Sequence, residues 1–406
     1  MTGKLAKIAH QEDRLRSKAR KAHSSGKGLH AANRSYLKSY SARYIAVSEA
    51  AQERRMGLSK DDVQTIAREM DVWAPCNETV RLQPLLKSHY ADCSEGSYRY
   101  ILSFGLKNQA RQILVRNLLQ ARWDTQPEQY VFGGGREKAI KQVRSAYRKG
   151  FRYVFELDVY HCFKSFDRKG IAEYLSLPER VVTNVLSGDE LNITLAPQLE
   201  KEVGDICLGL DDMPESPLER FAMMDGDWGP ARSGLTEGSK ASPFAAELLL
   251  AWVLKNVPDG AWRIVNYADN FLCLCESENA AFEIRDILQE LLHQHPAGPL
   301  KAKQFPRVFS PDEAFEFLGY LLFPKSPIGL GVQWSPRAEA KARNLRRSAY
   351  KELYAPKMPI KQKKKKLHIL EKQHLAIVNG YPSWPERLVF HDLKMSGIRS
   401  TVGLDG

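Results

Sequence analysis

Apolar residues fill two neighbouring runs in the second half of the chain, and an acidic turn signal separates them. Residues 262–267 are rich in β-branched and aromatic side chains, residues 271–275 are equally apolar, and Asp269–Asn270 lies between them. Asp and Asn tolerate turn conformations that other residues resist, so the pattern predicts a β-hairpin. A carboxylate at the tip of a buried hairpin costs roughly several kcal/mol unless a cation or a donor lies opposite. A plain turn with a solvated Asp269 is the alternative.

An earlier apolar strand also ends on an acid. Residues 151–158 alternate between two faces, and Glu156 and Asp158 share one of them. Asp158 and Asp269 are distant along the chain and can meet only if their strands are neighbours. Like charges about 4 Å apart repel each other unless divalent cations lie between them. Two carboxylates that hold two Mg²⁺ ions are the arrangement for in-line phosphoryl transfer.

The remaining periodicity predicts a chain that mixes helices with short strands. Apolar residues at helical spacing predict helices at 1–55, 107–120, 137–148, 168–187, 244–255, 277–293 and from 336 onward. Extended patterns predict further strands at 97–102 and 315–323, and the acidic, Pro-rich segment 205–230 is predicted to be a loop. The expected fold class is α+β.

Three tyrosines form a stripe on the predicted N-terminal helix. Tyr36, Tyr40 and Tyr44 recur every four residues. With Arg34 and Lys38 nearby, the stripe suits stacking and phosphate contact with single-stranded nucleic acid. Packing of the tyrosines against the body of the protein is the competing interpretation.

The positive charge is concentrated near the two ends of the chain. Residues 1–55 carry 13 Lys and Arg against 4 acids, residues 337–372 carry 13 against 3, and the rest has a net charge of −7 in a chain whose total is +12. Cationic ends around an acidic middle indicate a polyanion held near a site that itself needs carboxylates and metal. Basic ends that are merely solvated are the alternative.

Cysteine spacing and hydropathy restrict the cellular context. Six cysteines occur without a CxxC pair or a Cys/His zinc spacing, so reduced thiols are expected. The most apolar stretch, 244–254, contains Glu247 and is too short to span a bilayer, and no apolar leader opens the chain. We therefore expect a cytoplasmic protein without a membrane partner. The absence of a Gly-x-Ser-x-Gly motif leaves serine hydrolase chemistry without support.

A run of three glycines precedes a predicted helix. Gly133–Gly135 permits close approach of the backbone to a ligand, and Arg136 directly after it suits a phosphate. The run is not a Walker A loop, which requires Gly-Lys-Ser/Thr after a fixed gap.

Taken in order, seven segments resemble the motifs of prokaryotic reverse transcriptases, the broad group that contains group II intron, retron and defence-associated enzymes. The matching segments are 99–112 and 130–140 for two fingers motifs, 155–158 with Phe163 for motif A, 234–243 for motif B, 267–270 for the YxDD box of motif C, Lys303 (less closely Lys301) for motif D, and 317–320 for motif E. The similarity covers roughly residues 80–325.

The resemblance implies a right-hand polymerase with an antiparallel-sheet palm. The expected parts are a basic helical N-terminal extension at 1–75, fingers at 76–150, a palm with motifs A to E at 151–325 and a basic helical thumb at 326–406.

The implied reaction is nucleotidyl transfer from a dNTP to a primer 3′ hydroxyl on an RNA template. Asp158 and Asp269 would hold two Mg²⁺ ions, with Mn²⁺ as an alternative, and the Val159 carbonyl would be a further ligand. Phe163 matches the aromatic gate that leaves no room for a ribose hydroxyl, which predicts a DNA product. Lys303 would protonate the departing pyrophosphate as a general acid.

The resemblance also implies residues that bind the nucleotide and the primer. Arg136 would hold the triphosphate or stack on the incoming base. Further nucleotide contacts are expected from Glu237, Gly238, Tyr267 and Asn270, and the primer grip from Phe317, Leu318, Gly319 and Tyr320.

Two residues depart from the family pattern. Asn270 replaces the second Asp of the YxDD box, and Glu237 replaces the usual Gln of motif B. A carboxylate beside the template groove would repel phosphate and alter hydrogen bonding to the base pair. Unusual template use, such as a restricted product, is the resulting hypothesis.

The subgroup follows from what the sequence lacks. The Asn-Ala-x-x-His and Val-Thr-Gly elements of retron enzymes do not occur, and no maturase-sized segment follows residue 326. A free-standing defence-associated enzyme with a structured non-coding RNA partner is therefore expected, and homo- or hetero-oligomerisation is left open. One competing interpretation is a catalytically silent RNA-binding scaffold. The other is a polymerase that makes RNA, and Phe163, as the aromatic gate, argues against it.

Overall fold

The computed structural model describes residues 3–86, 98–207, 214–224, 234–303, 306–325, 329–353 and 358–401. The strands within these ranges are β1 (Val80–Leu86), β2 (Tyr98–Ser103), β3 (Tyr153–Asp158), β4 (Ile193–Leu195), β5 (Trp262–Tyr267), β6 (Asn270–Cys275), β7 (Phe315–Phe317), β8 (Tyr320–Lys325) and β9 (Gly329–Trp334).

Helices supply most of the remaining structure. They are α1 (Gly3–Ser25), α2 (Leu29–Lys38), α3 (Tyr40–Glu53), α4 (Lys60–Glu69), α5 (Leu106–Arg122), α6 (Gly135–Arg148), α7 (Cys162–Ser165), α8 (Arg168–Tyr174), α9 (Glu179–Val181), α10 (Pro197–Cys207), α11 (Pro217–Met224), α12 (Ser242–Asn256), α13 (Glu278–His293), α14 (Pro336–Leu353), α15 (Ile360–Asn379) and α16 (Arg387–Thr401), with a π-helix at Val182–Leu186. The mixture of helices with small, mainly antiparallel sheets confirms the coarse part of the predicted fold class.

Each of the sheets formed by these strands has three strands. Their orders are β2-β1-β4, β3-β6-β5 and β7-β8-β9, and β1 with β4 is the parallel pair. We call β3-β6-β5 the central sheet and β7-β8-β9 the C-terminal sheet.

The central sheet is buried on both faces. Phe155 and Cys273 face a core shared with α5, α12 and α13, whereas Val154 and Leu272 face a second core shared with α6 and the C-terminal sheet. A middle strand that is covered on both sides carries apolar residues at every position, which explains the unbroken apolar run of β6. Polar side chains of this sheet can therefore reach solvent at the ends of its strands.

The N-terminal helices pack against the body through their tyrosines. Tyr36 is fully buried and donates a hydrogen bond of 2.6 Å from its hydroxyl to Glu12, and Tyr44 is buried as well. Asn33 of α2 donates to the Ser176 carbonyl at 2.7 Å. The packing interpretation of the stripe is thus correct, and Tyr36 and Tyr44 offer no face for base stacking.

Three predicted elements differ from the structure. The helix predicted at 1–55 divides into α1, α2 and α3, and the break at Ser39 separates Tyr36 from Tyr40 and Tyr44. The helix predicted at 168–187 is interrupted between α8 and α9, because Pro178 cannot continue a helix. The segment predicted as a loop contains α11, and its residues 208–213 and 225–230 lie outside the described ranges. Of the helices described, none is long and apolar enough to cross a bilayer.

A short hydrogen-bonded chain joins the three C-terminal helices. Arg346 of α14 lies 2.8 Å from Nε2 of His374 on α15, whose Nδ1 lies 2.8 Å from Nδ1 of His391 on α16. An arginine only donates, so His374 accepts at Nε2 and donates from Nδ1 to His391. Both imidazoles are therefore neutral in this arrangement.

Candidate active site

The hairpin that carries Asp269 turns on two residues. β5 and β6 pair in antiparallel register up to Tyr267 and Asn270, which leaves Ala268 and Asp269 as the turn. We call Ala268–Asp269 the acidic turn. The sequence assigned the turn to Asp269–Asn270 and was wrong by one position, because Asn270 already pairs as the first residue of β6.

The acidic turn has a strained backbone, and a buried side chain of β5 hydrogen-bonds to it. Ala268 has φ of 55°, in the left-handed region that costs a side-chain-bearing residue roughly 1 kcal/mol or more. The fully buried Asn266 amide donates to the carbonyls of Ala268 at 3.0 Å and Asn270 at 3.1 Å. This amide fixes the turn from inside the protein, and sequence reasoning missed its role although Asn266 directly precedes the motif.

Asp158 lies at the end of the strand beside this turn. β3 and β6 are antiparallel neighbours in which Asp158 is opposite Asn270, and the Val159 N–H donates to the Asp269 carbonyl at 3.0 Å. The Asn270 amide donates to Asp269 Oδ1 at 3.3 Å. Directly opposite residues of an antiparallel pair have Cβ atoms about 5 Å apart, so an Asp at 270 would add a third carboxylate beside these two.

The two aspartates create a negative potential at the end of the central sheet. Burial, followed by the charge of Asp158 and with a further contribution from Asp269, raises the pKa of Glu156 to about 7. Burial and then the same two carboxylates raise the pKa of the Cys162 thiol well above its usual range. Both neighbours are thus sensitive to the same pair of charges, which a divalent cation would offset.

The donor set suits a hard cation with open coordination positions. Within the described ranges, no group of three or more His, Cys, Asp and Glu side chains is placed to hold a metal ion. Mg²⁺ typically binds through one or two carboxylates and keeps waters or substrate phosphates as its other ligands. Asp158 and Asp269 fit that requirement, and the side chain of Asp158 is 37% exposed.

Lys303 meets Asp158 from the neighbouring segment. Its backbone N–H donates to the Asp158 carbonyl at 2.8 Å, and its Nζ lies 3.8 Å from Asp158 Oδ2. Lys301 instead uses its backbone carbonyl to accept the Tyr160 N–H at 2.7 Å. The exposed side chain of Lys303 therefore places its ammonium beside Asp158.

The segment predicted as motif B is pressed between two backbones. The Leu235 N–H donates to the Phe163 carbonyl at 2.8 Å, and a Cβ on Gly234 would collide with that carbonyl. On the other side, the Leu102 N–H donates to the Glu237 carbonyl at 3.0 Å. Residues 235–237 thus join the backbone of Phe163 to that of β2, and the side chains of Phe163 and Glu237 are half-buried.

Gly238 makes this close approach compatible with β2. Its φ is 94°, and a Cβ there would collide with the Leu102 carbonyl. Glycine is the residue that can occupy such a position without strain.

The turn predicted as the primer grip is covered by another segment. β7 and β8 pair through Phe317 and Tyr320, so Leu318 and Gly319 form a two-residue turn with φ of 51° and 81°. We call Leu318–Gly319 the covered turn. A Cβ on Gly319 would lie 2.7 Å from the Tyr381 hydroxyl oxygen.

Arg136 contacts the same covering segment. Its guanidinium lies 4.8 Å from the centre of the Tyr381 ring and donates to the Gly380 carbonyl at 3.2 Å. The next residue, Glu137, accepts hydrogen bonds from the Tyr320 hydroxyl at 2.7 Å and from the Ser383 N–H and hydroxyl at 3.0 and 2.6 Å. Sequence reasoning missed Glu137 and Ser383, which no local pattern distinguishes.

No protein-family model and no curated protein matches this chain. Among solved structures, the chain is similar to telomerase from Candida albicans in complex with a TWJ fragment of telomeric RNA, with a TM-score of 0.36 and 10% identity over 80% of this chain. The match spans 60% of the telomerase chain. A likeness of this size identifies neither a family nor an activity.

Proposed function

We propose that this chain is an RNA-directed DNA polymerase that adds dNTPs to a 3′ hydroxyl. The observation that carries the proposal is the juxtaposition of Asp158 with the acidic turn, tied by the 3.0 Å hydrogen bond from Val159 to the Asp269 carbonyl. The ordered sequence motifs support nucleotidyl transfer as the reaction. The same motifs support the division into N-terminal extension, fingers, palm and thumb.

The chain's own residues would divide the work as follows. Asp158, Asp269 and the Val159 carbonyl would hold two Mg²⁺ ions, with Mn²⁺ as an alternative, which supply Lewis-acid activation of the hydroxyl and charge neutralisation on the phosphates. Lys303 would deliver a proton to the departing pyrophosphate. Phe163 would exclude a ribose 2′ hydroxyl and so select dNTPs.

Incorporation of labelled dNTPs tests the proposal. Purified protein with a DNA primer, an RNA template and Mg²⁺ should extend the primer, and Asp158→Asn and Asp269→Asn should each abolish extension. Asp286→Asn, an exposed carboxylate on α13, is the matched control and should extend like the wild type. Extension by Asp158→Asn at the wild-type rate would contradict the proposal.

A catalytically silent RNA-binding scaffold is the second candidate. Asn270 at a position that carries an acid in the family, together with Glu237, favours it. Tight RNA binding without incorporation of dNTPs or rNTPs, in Mg²⁺ or Mn²⁺, would select this candidate.

The finer functional assignments concern the sugar and the template. Phe163→Ala should admit rNTPs if the aromatic ring is the gate. Glu237→Gln should change the sequence of the product if Glu237 restricts template use, and identical copying of any supplied template by both proteins would refute that idea.

The resemblance supports a role in bacterial antiphage defence together with a structured non-coding RNA. Sequencing the nucleic acid that co-purifies with the protein tests this partner. A single enriched RNA species is the expected result, and recovery of bulk cellular RNA in proportion to its abundance would argue against it.

A further inference from the structure

One segment links the acidic turn to the covered turn. At its start, the Asn266 N–H donates to the Glu128 carbonyl at 2.8 Å, and the Tyr130 N–H donates to the Asn266 carbonyl at 3.0 Å. Asn266 is the buried residue whose amide holds the acidic turn. The segment 128–137 is therefore attached to the candidate active site at this end.

At its other end the segment binds two separate parts of the chain. Arg136 donates a hydrogen bond to the Gly380 carbonyl and lies over the Tyr381 ring. Glu137 accepts hydrogen bonds from the Ser383 N–H and hydroxyl and from the Tyr320 hydroxyl. We call this set of contacts the clamp. Tyr320 is fully buried and is the first residue after the covered turn.

The carboxylate is matched to its donors. Burial disfavours the charged form of Glu137, but the hydrogen bonds from Ser383 and Tyr320 outweigh burial and hold its pKa below the usual range. Three donors converge on two oxygens, so removal of the carboxylate leaves a buried tyrosine hydroxyl and a backbone N–H without their acceptor. Loss of the carboxylate therefore loosens the segment 128–137, the covered turn and residues 380–383 together.

We propose that Glu137 is a positioning residue, which sets the covered turn and residues 380–383 at a fixed place relative to Asp158 and Asp269 by joining both to the segment 128–137. The inference rests on the proposed polymerase function, in which the covered turn aligns the primer terminus. Glu137 itself need not touch the substrate for this role. Its effect reaches the reaction through Tyr320 and Ser383.

Single-nucleotide addition per active site provides the kinetic test. Glu137→Ala should lower kcat at saturating primer by about tenfold or more and change the KM for dNTP by less than about threefold, since a misplaced reactant slows the chemical step. Glu137→Gln should restore kcat to within about threefold of the wild type, because its amide oxygen still accepts from Tyr320 and Ser383. An unchanged kcat for Glu137→Ala, or a Gln variant as slow as the Ala variant, would overturn the proposal.

Glu313→Ala is the matched control. Glu313 also accepts a backbone hydrogen bond, from Ser310 at 2.9 Å, and it pairs with Arg307, but these contacts stay within one local loop. Its kcat should equal that of the wild type, and a loss as large as that of Glu137→Ala would overturn the assignment to the clamp. If Glu137→Ala does not fold, Ser383→Ala carries the test, with an expected loss of about threefold in kcat.

Hydrogen exchange makes the test independent of activity. Glu137→Ala should speed amide exchange in residues 318–320 and 380–384 at least about tenfold and leave β6 unchanged, whereas Glu137→Gln should not. This exchange pattern in a protein that incorporates no dNTP would retain the clamp and reject the polymerase function. Unchanged exchange in a protein that does incorporate dNTPs would reject the clamp alone.

Discussion

The acidic turn and the covered turn share one backbone feature and have very different surroundings. Each is a two-residue hairpin whose first residue, Ala268 or Leu318, has a side chain and yet lies in the left-handed region. The acidic turn carries half-buried residues beside Asp158. Over the covered turn lies Tyr381, whose ring also packs edge-on against Tyr320 at 5.1 Å.

The difference teaches that turn geometry alone does not assign a role. Both hairpins hold their backbone against a similar strain, but one presents a carboxylate beside another carboxylate, and the other serves as a docking point for a distant segment. What distinguishes them is the set of groups that packs around each turn. Substitutions that change one turn should therefore leave the other intact.

The largest effect is expected at the acidic turn, on activity. Asp158→Asn or Asp269→Asn should lower the rate of dNTP addition by about a thousandfold or more, because under the proposed function each removes a ligand of the cations that would stabilise the transition state. Stability should not fall, since the substitution also removes repulsion between two carboxylates. Rate measurement together with thermal unfolding checks both parts, and a parallel loss of Tm and activity would contradict a catalytic role.

The covered turn should show the next largest effect, on stability. Gly319→Ala places a Cβ 2.7 Å from the Tyr381 hydroxyl oxygen at a residue with φ of 81°, and we expect a loss of about 2–3 kcal/mol in the free energy of unfolding. Urea denaturation measures it. Gly397→Ala in α16, where a Cβ would meet nothing within 4 Å, is the control and should be neutral or stabilising. Equal destabilisation by both variants would contradict the steric explanation.

Acid should loosen the helices that support Tyr381. Burial, followed by the charges of Arg346 and His391, lowers the pKa of His374 from 6.5 to about 4. Burial also lowers the pKa of His391, although the charges of Asp392 and Glu371 raise it. A lowered folded-state pKa gives stability that is complete above pH 6.5 and is lost as pH falls toward 4, because the unfolded chain takes up the proton first.

The expected loss over that interval is about 2–3 kcal/mol, measured by urea denaturation at a series of pH values. His374→Gln should flatten this part of the stability profile. His368→Gln, at an exposed histidine of the same helix, should retain it. A profile for His374→Gln that matches the wild type between pH 6.5 and 4 would contradict the role of the histidine chain.

The smallest effect is expected from relief of strain at the acidic turn. Ala268→Gly removes the left-handed penalty but adds backbone entropy to the unfolded chain, so we expect a gain of only about 0.5 kcal/mol in the free energy of unfolding. Denaturant titration checks it. A loss of stability would show that the Ala268 methyl group makes packing contacts that exceed the strain.

Local pattern was sufficient for much of the central sheet. Alternation located β3, continuous apolar runs located β5 and β6, and the acids at their ends followed from the same patterns. The pattern could not fix the turn within one residue, since Asn270 suits both a turn and the first pair of a strand. The break before α9 was present in the sequence as Pro178, and the helix prediction passed over it.

Long-range packing accounts for what sequence reasoning could not reach. Tyr36 and Tyr44 could face nucleic acid or the protein core, and only the position of α1 and α5 decides between them. Arg136 follows three glycines as a phosphate-binding residue would, but its contacts with Gly380 and Tyr381 depend on a segment far along the chain. Glu137 has no local signal because all three of its donors come from elsewhere.

The clamp also has a consequence for how the protein is made. Glu137 and Ser383 are 246 positions apart, so their hydrogen bonds cannot form until Ser383 has left the ribosome. By then both aspartates and the covered turn have long been synthesised and are able to fold. Translation thus completes the two turns and Asp158 first and the clamp between them late, so a nascent chain held on the ribosome before this point lacks the connection that sets one turn against the other.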